Sequence, residues 1–244
     1  FVIYFTGCSF TWGAGLQYDY LRNKEGWSVD KINKHIPPMF KLEDVGYEAD
    51  EYRKKHHFPN LVAKEIDKTY KVLNLHNGGS NYSILEDCKT LPFHEAELVV
   101  VQFTDWVRGY SELRAINPEE LSEEKINSII FKQIEEINNV IKKRTQNKKW
   151  IGISWRKDLA LVLKEHFPEN HVPIFYDRKE YDSFEEVLPG DTFNNYNFSS
   201  TENLRICDVI KGVKDTHLSS KGHQMIADSI TFYLNFKEIK NGRN

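Results

Sequence analysis

Cysteine is scarce in this sequence, with only Cys8, Cys88 and Cys207 among 244 residues. The number is odd and no two stand in Cys-x-x-Cys spacing, which argues against a disulfide framework and against a zinc site built on paired thiols. Such usage fits a reducing compartment, and a cytoplasmic location is expected. Neither sign of charge dominates. Lys and Arg total 33 against 36 Asp and Glu, for a net charge of −3. The basic excess of a nucleic-acid protein is missing. Local clusters such as Lys142-Lys143-Arg144 and Lys148-Lys149 read as a solvated helix end. Apolar runs are short: Leu98–Val101 ends far below the length needed to span a bilayer. No partner in a membrane or in nucleic acid is expected. The Gly-x4-Gly-Lys-Ser/Thr phosphate loop is absent, as are internal repeats. The chain opens on Phe1 rather than Met, and a segment ahead of it is expected. The oligomeric state is not legible.

What is present is an ordinary globular balance, 40% hydrophobic and 28% charged. The length suits one domain over residues 1–244. Phe1-Val2-Ile3-Tyr4-Phe5 reads as a buried strand. So do Val72–Leu75, Leu98–Phe103, Trp150–Trp155 and Pro173–Tyr176. These runs are near-continuously apolar, as expected for a parallel sheet covered on both faces. Helical patterns fall between them. The longest is predicted over about 118–144, where Ile126, Ile130, Ile134, Ile137 and Ile141 form one stripe. Asn117 and Pro118 supply its expected start. Further helices are predicted over about 81–91 and 157–166, and from Ser219 or Ser220 onward. The alternation predicts a three-layer α/β/α sandwich with a parallel sheet of about five strands. Two stretches, about 18–57 and 178–214, do not fit it and read as insertions of functional weight.

Ligands of such sheets sit beyond the C-terminal strand ends. There stand Gly7-Cys8-Ser9-Phe10-Thr11-Trp12-Gly13, Gly78-Gly79-Ser80-Asn81 and Thr104-Asp105-Trp106. Asp215-Thr216-His217 precedes the last helix. Ser9, on a glycine-flanked turn, reads either as a helix cap or as an exposed nucleophile. Asp215 and His217 read either as loop residues or as a base with its orienting carboxylate. Gly79 is either a turn residue or a bare backbone N–H aimed at a reacting oxygen. Asn81 either helps cap the next helix or faces a substrate. Trp12 and Trp106 pack in the core or offer a sugar-stacking face, and Asp105 lies beside them. His223 is a second candidate base, though packing suits its place in the last helix. The His56-His57 pair lacks a carboxylate at ligand spacing, so no metal is expected.

The Gly7–Gly13 motif resembles block I of the SGNH/GDSL hydrolases, with Cys8 where that family usually has Asp. Gly79 matches the block II glycine, 99–105 falls where block III belongs, and 215–223 resembles block V. The matches run in family order over nearly the whole chain. The resemblance implies a flavodoxin-like sandwich and a cofactor-free esterase, often acting on acetylated sugars. It implies Ser9 as nucleophile, His217 as base oriented by Asp215, and an oxyanion hole from the Ser9 and Gly79 N–H groups. Two positions depart from the pattern. Thr104 stands where block III carries an Asn that completes the hole, so it would have to donate its hydroxyl. Asp215 stands two residues before His217 rather than three, and Lys214 holds the usual place.

Three functions are therefore in play. The first is a serine esterase on a small-molecule or glycan ester, through an acyl-enzyme on Ser9. The second is a non-catalytic carbohydrate-binding or assembly protein on the same scaffold. The third is a flavin or phosphate binder using the Thr6–Thr11 loop.

Overall fold

A computed structural model describes residues 2–34, 46–73, 79–93, 95–109, 113, 120–146, 148–188 and 202–241. The chain begins with β1 (Val2–Thr6), followed at once by a single turn of helix, α1 (Ser9–Trp12). Four more helices come next: α2 (Leu16–Asn23), α3 (Val29–Lys34), α4 (Tyr47–His56) and α5 (Phe58–Glu65). Then β2 (Thr69–Val72), α6 (Asn81–Lys89), β3 (Ala96–Phe103), α7 (Glu123–Thr145), β4 (Lys149–Ser154) and α8 (Lys157–His166) alternate. The hairpin β5 (Ile174–Tyr176) and β6 (Lys179–Tyr181) follows. After it come the short helices α9 (Phe184–Val187) and α10 (Ile206–Val209), and last α11 (Ser220–Asn241).

The sheet is parallel, in the order β2-β1-β3-β4. Alternate residues of each strand feed opposite faces, because side chains along a strand alternate sides. Ile3, Phe5, Leu98, Val100, Ile151 and Ile153 pack with α5 and α11 through Phe58, Val62, Ile226 and Ile230. Tyr4, Val99, Val101, Phe103 and Trp150 pack on the other face against α6, α7 and α8. The result is the expected three-layer α/β/α sandwich. The α7 stripe buries Ile130, Ile134, Ile137 and Ile141 fully and Ile126 partly.

Three boundaries differ from the sequence prediction. Among the described residues the sheet has four hydrogen-bonded strands, not about five. Ile174–Tyr176 turns away to pair antiparallel with β6, and a single parallel bridge among the described residues, Gly152 to His171, continues the main sheet. The second strand is Thr69–Val72 rather than 72–75. It is an edge strand whose residues alternate between exposed and half-buried, so it lacks the apolar run that marks a central strand. Residues 74–78 lie outside those described. The long helix starts at Glu123, where the Ser122 hydroxyl accepts the Lys125 N–H, with Glu123 and Glu124 in the first turn. Asn117 and Pro118 lie outside the described residues. The 18–57 stretch is largely helical where described, in α2, α3 and α4. Among the described residues no helix is long and apolar enough to cross a membrane.

Candidate active site

The sheet order makes the gap between β1 and β3 its switch point, because the chain leaves β1 toward β2 and leaves β3 toward β4. Such crevices collect ligands. Ser9 follows β1 there as the first residue of α1, and Cys8 ahead of it is extended. The turn closes sharply. Gly13 and Ala14 both donate to the Ser9 carbonyl at 2.9 Å, and Gly13 adopts φ 88°. Ser9 is buried, with 4% of its surface exposed.

His217 reaches this serine from the far end of the chain. Its Nε2 lies 2.8 Å from Ser9 Oγ. Its Nδ1 lies 2.6 Å from Asp215 Oδ1, and the same oxygen accepts the His217 backbone N–H at 2.8 Å. The two-residue spacing thus forms an Asx-type turn, in which one carboxylate oxygen holds both the backbone and the ring of the histidine. The turn is itself fixed. Ile206 N–H donates to the His217 carbonyl at 2.9 Å and Cys207 N–H to the Asp215 carbonyl at 3.0 Å. The imidazole rests against Phe10 at 5.4 Å, and Phe10 stacks on Trp155 at 4.5 Å. Ser9, His217 and Asp215 therefore form one continuous hydrogen-bonded line, the geometry that a nucleophile, a base and an orienting carboxylate require.

Sequence reasoning missed several supports of this arrangement. Gly15, at φ 95°, is one: a Cβ there would lie 2.8 Å from Ile206 and 3.0 Å from His217 Cβ. Tyr18 is another. Burial first, and the Asp215 charge second, push its phenol up, so it sits buried beside the carboxylate. Gln102, fully buried on β3, hydrogen-bonds the Ser9 turn through Cys8. A lone amide in the run Val99–Phe103 was the available signal, since a buried polar group needs a partner.

The loop after β3 closes the other side. Thr104 is buried, and its N–H donates to Asn81 Oδ1 at 3.0 Å. Burial pushes the Cys8 thiol up, opposed by the Phe10 backbone and by the Ser9 and Thr104 hydroxyls. Both hydroxyls thus lie by the same sulfur. Gly79 is buried just ahead of Ser80, whose hydroxyl caps α6 by accepting the Ser83 N–H.

Three residues expected at the substrate are engaged elsewhere. Asn81 is fully buried, with Nδ2 donating to Gln133 Oε1 at 3.0 Å and Gln133 Nε2 donating to the Trp106 carbonyl. It fixes the loop rather than facing a ligand. Trp106 is buried, and its indole N–H donates to Asp158 at 2.9 Å, so no face is free for a sugar. Trp12 is buried beneath the Arg53 guanidinium, 3.8 Å from its ring. Asp105 remains half-buried at the loop, its carboxylate accepting the Val107 N–H at 3.0 Å. His223 is fully buried and accepts the Phe58 N–H on Nδ1, which settles it as a packed residue. His56 and His57 contact the Tyr52 carbonyl and the Tyr70 hydroxyl. A groove of about 920 Å³ between α7 and α8, lined among others by Leu121, Ile126, Arg156 and Glu185, lies apart from Ser9.

No protein-family model and no curated protein matches the chain. Among solved structures, phospholipase A1 from Streptomyces albidoflavus NA297 superposes with a TM-score of 0.48 at 10% identity, over 97% of this chain and 98% of that one. A carbohydrate esterase family 2 enzyme with a carbohydrate binding domain, from Corynascus thermopiles (Myceliophthora fergusii), gives 0.49 at 12%, over 96% and 66%. A carbohydrate esterase described as having divergent catalytic and non-catalytic binding functions gives 0.46 at 13%, over 96% and 64%. This chain thus spans about two thirds of the length of those two carbohydrate esterases.

Proposed function

We propose that this chain is a serine-dependent ester hydrolase. The observation that carries the proposal is the continuous hydrogen-bond path from Ser9 Oγ through His217 to Asp215, at 2.8 and 2.6 Å. Ser9 Oγ attacks the acyl carbonyl carbon while its proton passes to His217 Nε2. The imidazolium formed is stabilised by Asp215 on its Nδ1 side. His217 then gives the proton to the departing alcohol oxygen, leaving the acyl group on Ser9. Water then attacks the acyl carbon as His217 takes its proton, and His217 returns that proton to Ser9 Oγ as the bond from Oγ to carbon breaks and the acid leaves. The negative oxygen of each tetrahedral intermediate needs donors. The Ser9 and Gly79 N–H groups and the Thr104 hydroxyl are our assignment for that role.

Low exposure of Ser9 supports a short acyl group, acetyl first, over a long fatty chain. That the alcohol belongs to a carbohydrate follows from the motif resemblance. The decisive experiment is labelling with a fluorophosphonate, read by peptide mass. The wild-type chain should carry the adduct on Ser9, and Ser9→Ala should carry none. An aryl acetate should turn over faster than the matching decanoate, with acetylated xylan testing the alcohol side. A folded wild-type chain that neither labels nor turns over an ester would leave the non-catalytic binding reading in its place.

A further inference from the structure

We infer that Gln102 is a positioning residue for Ser9, holding the nucleophile turn in its reactive geometry without touching the substrate. The inference rests on the ester hydrolase reading above.

Gln102 lies on β3, beside β1, and is fully buried. Its Oε1 accepts the Cys8 backbone N–H at 3.1 Å, the Cys8 thiol at 2.9 Å and, more weakly, the Thr11 hydroxyl at 3.4 Å. Its Nε2 donates to the Phe103 carbonyl at 2.7 Å. The amide orientation follows from these partners. A backbone N–H can only donate, so an oxygen must face Cys8, and a carbonyl can only accept, so a nitrogen must face Phe103. The side chain is held at both ends, and it grips the residues on either side of Ser9 in the turn.

Two further features fit this role. Gly7 is what admits the amide, because a Cβ at that position would collide with Thr11 Oγ1 and lie 2.8 Å from Gln102 Cβ. Cys8 transmits the grip. Burial keeps its thiol protonated, so it donates to Gln102, while its sulfur lies 4.0 Å from Ser9 Oγ. Ser9 is thereby left one strong partner, His217 Nε2. A nucleophile shifted by about 1 Å can lose on the order of 100-fold in rate. The clamp acts on that margin.

The test compares Gln102→Met, which keeps the size and loses the acceptor, with Gln102→Glu, which keeps an acceptor oxygen. The readouts are the fluorophosphonate labelling rate per folded molecule and the kcat and KM for an aryl acetate. Gln102→Met is expected to lower both labelling rate and kcat by about 10- to 100-fold, with KM within twofold of wild type. Gln102→Glu should recover at least part of that loss. Should Gln102→Met fail to fold, Thr11→Val removes one bond to the same oxygen and should lower kcat about two- to fivefold with KM unchanged. Labelling at the wild-type rate in folded Gln102→Met overturns the inference. So does a raised KM at constant kcat, or wild-type kinetics in Thr11→Val where Gln102→Met does not fold. Absence of labelling in the wild-type chain is a different outcome: the hydrolase reading fails, and this inference falls with it.

Discussion

Asp215 serves His217 with a single oxygen, and that economy makes a sharp prediction. Oδ1 receives both the backbone N–H and the ring Nδ1 of His217. In Asp215→Asn the amide oxygen can still take the backbone N–H. The ring then meets either a shared neutral oxygen or an N–H that forces the opposite tautomer, with the proton on Nε2 facing Ser9. The turn should survive while His217 loses the tautomer that the proposed reaction needs. We expect kcat on an aryl acetate to fall by about 10⁴-fold, as when the orienting carboxylate of a triad is amidated, with little change in KM or melting temperature. A loss below tenfold would show that Asp215 does not set the tautomer. This residue pair was legible in the sequence because its chemistry is local: two residues in one turn. Gly15, Tyr18 and Gln102 were not. Each acts through a neighbour brought near by the fold, and nothing in its own sequence context says which neighbour. The two tryptophans stayed open between core and site for the converse reason, since adjacency to a site loop does not say which way a ring points.

Helix α4 belongs to a stretch the sequence marked only as an insertion, yet it holds the Ser9 turn from outside. Arg53 is buried, donates to the Trp12 carbonyl at the end of α1, and lies over the Trp12 ring. Asp50, one turn earlier on the same helix, accepts from its Nε and Nη2 at 3.0 and 2.6 Å. A buried pair broken on one side leaves a charge without compensation, at a cost of about 3–5 kcal/mol. Lys54 remains within 2.7 Å of Asp50, which favours the lower end. Arg53→Met should therefore destabilise the chain by about 3 kcal/mol in urea unfolding and lower kcat as well, because the Trp12 carbonyl loses its partner. Arg53→Lys should fall between, as an ammonium cannot reproduce the planar fork. An unchanged urea midpoint in Arg53→Met would dismiss α4 as a clasp. Elements central to the sheet could be read directly from apolar runs, as β1, β3 and β4 show. Those at its margin could not: β2 alternates at an edge, and 174–176 leaves the sheet for a hairpin that depends on pairing with 179–181.

Among the described residues, three histidines are buried, in three different places. His57 lies between α4 and α5, His171 beside the open edge of β4, and His223 inside α11. Burial lowers all three. His57 is pushed down to about 3, with Arg53 adding to the effect. His171 is lowered by burial, against the pull of Asp182, and His223 lies well below its ordinary value. In the unfolded chain each takes a proton near pH 6.5. In the folded chain each does so only at lower pH. Unfolding in that interval therefore takes up protons, and acid favours the unfolded state. The contribution is fully present above about pH 6.5 and is lost as pH falls below it. The slope is bounded by about 4 kcal/mol per pH unit, the value for three protons taken up together. Asp50 cannot account for a loss in this window. Burial works to raise its carboxyl, but Lys54 and Arg53 outweigh that and leave it below its ordinary 3.8, so its contribution is lost only at more acidic pH. The melting temperature at fixed ionic strength should accordingly fall steadily from pH 7 to pH 5. His223→Asn keeps an acceptor for the Phe58 N–H and removes one titrating group, so its slope should be shallower even if its melting temperature at pH 7 is lower. A wild-type melting temperature that is flat between pH 7 and pH 5 would mean these rings already carry their protons in the folded chain.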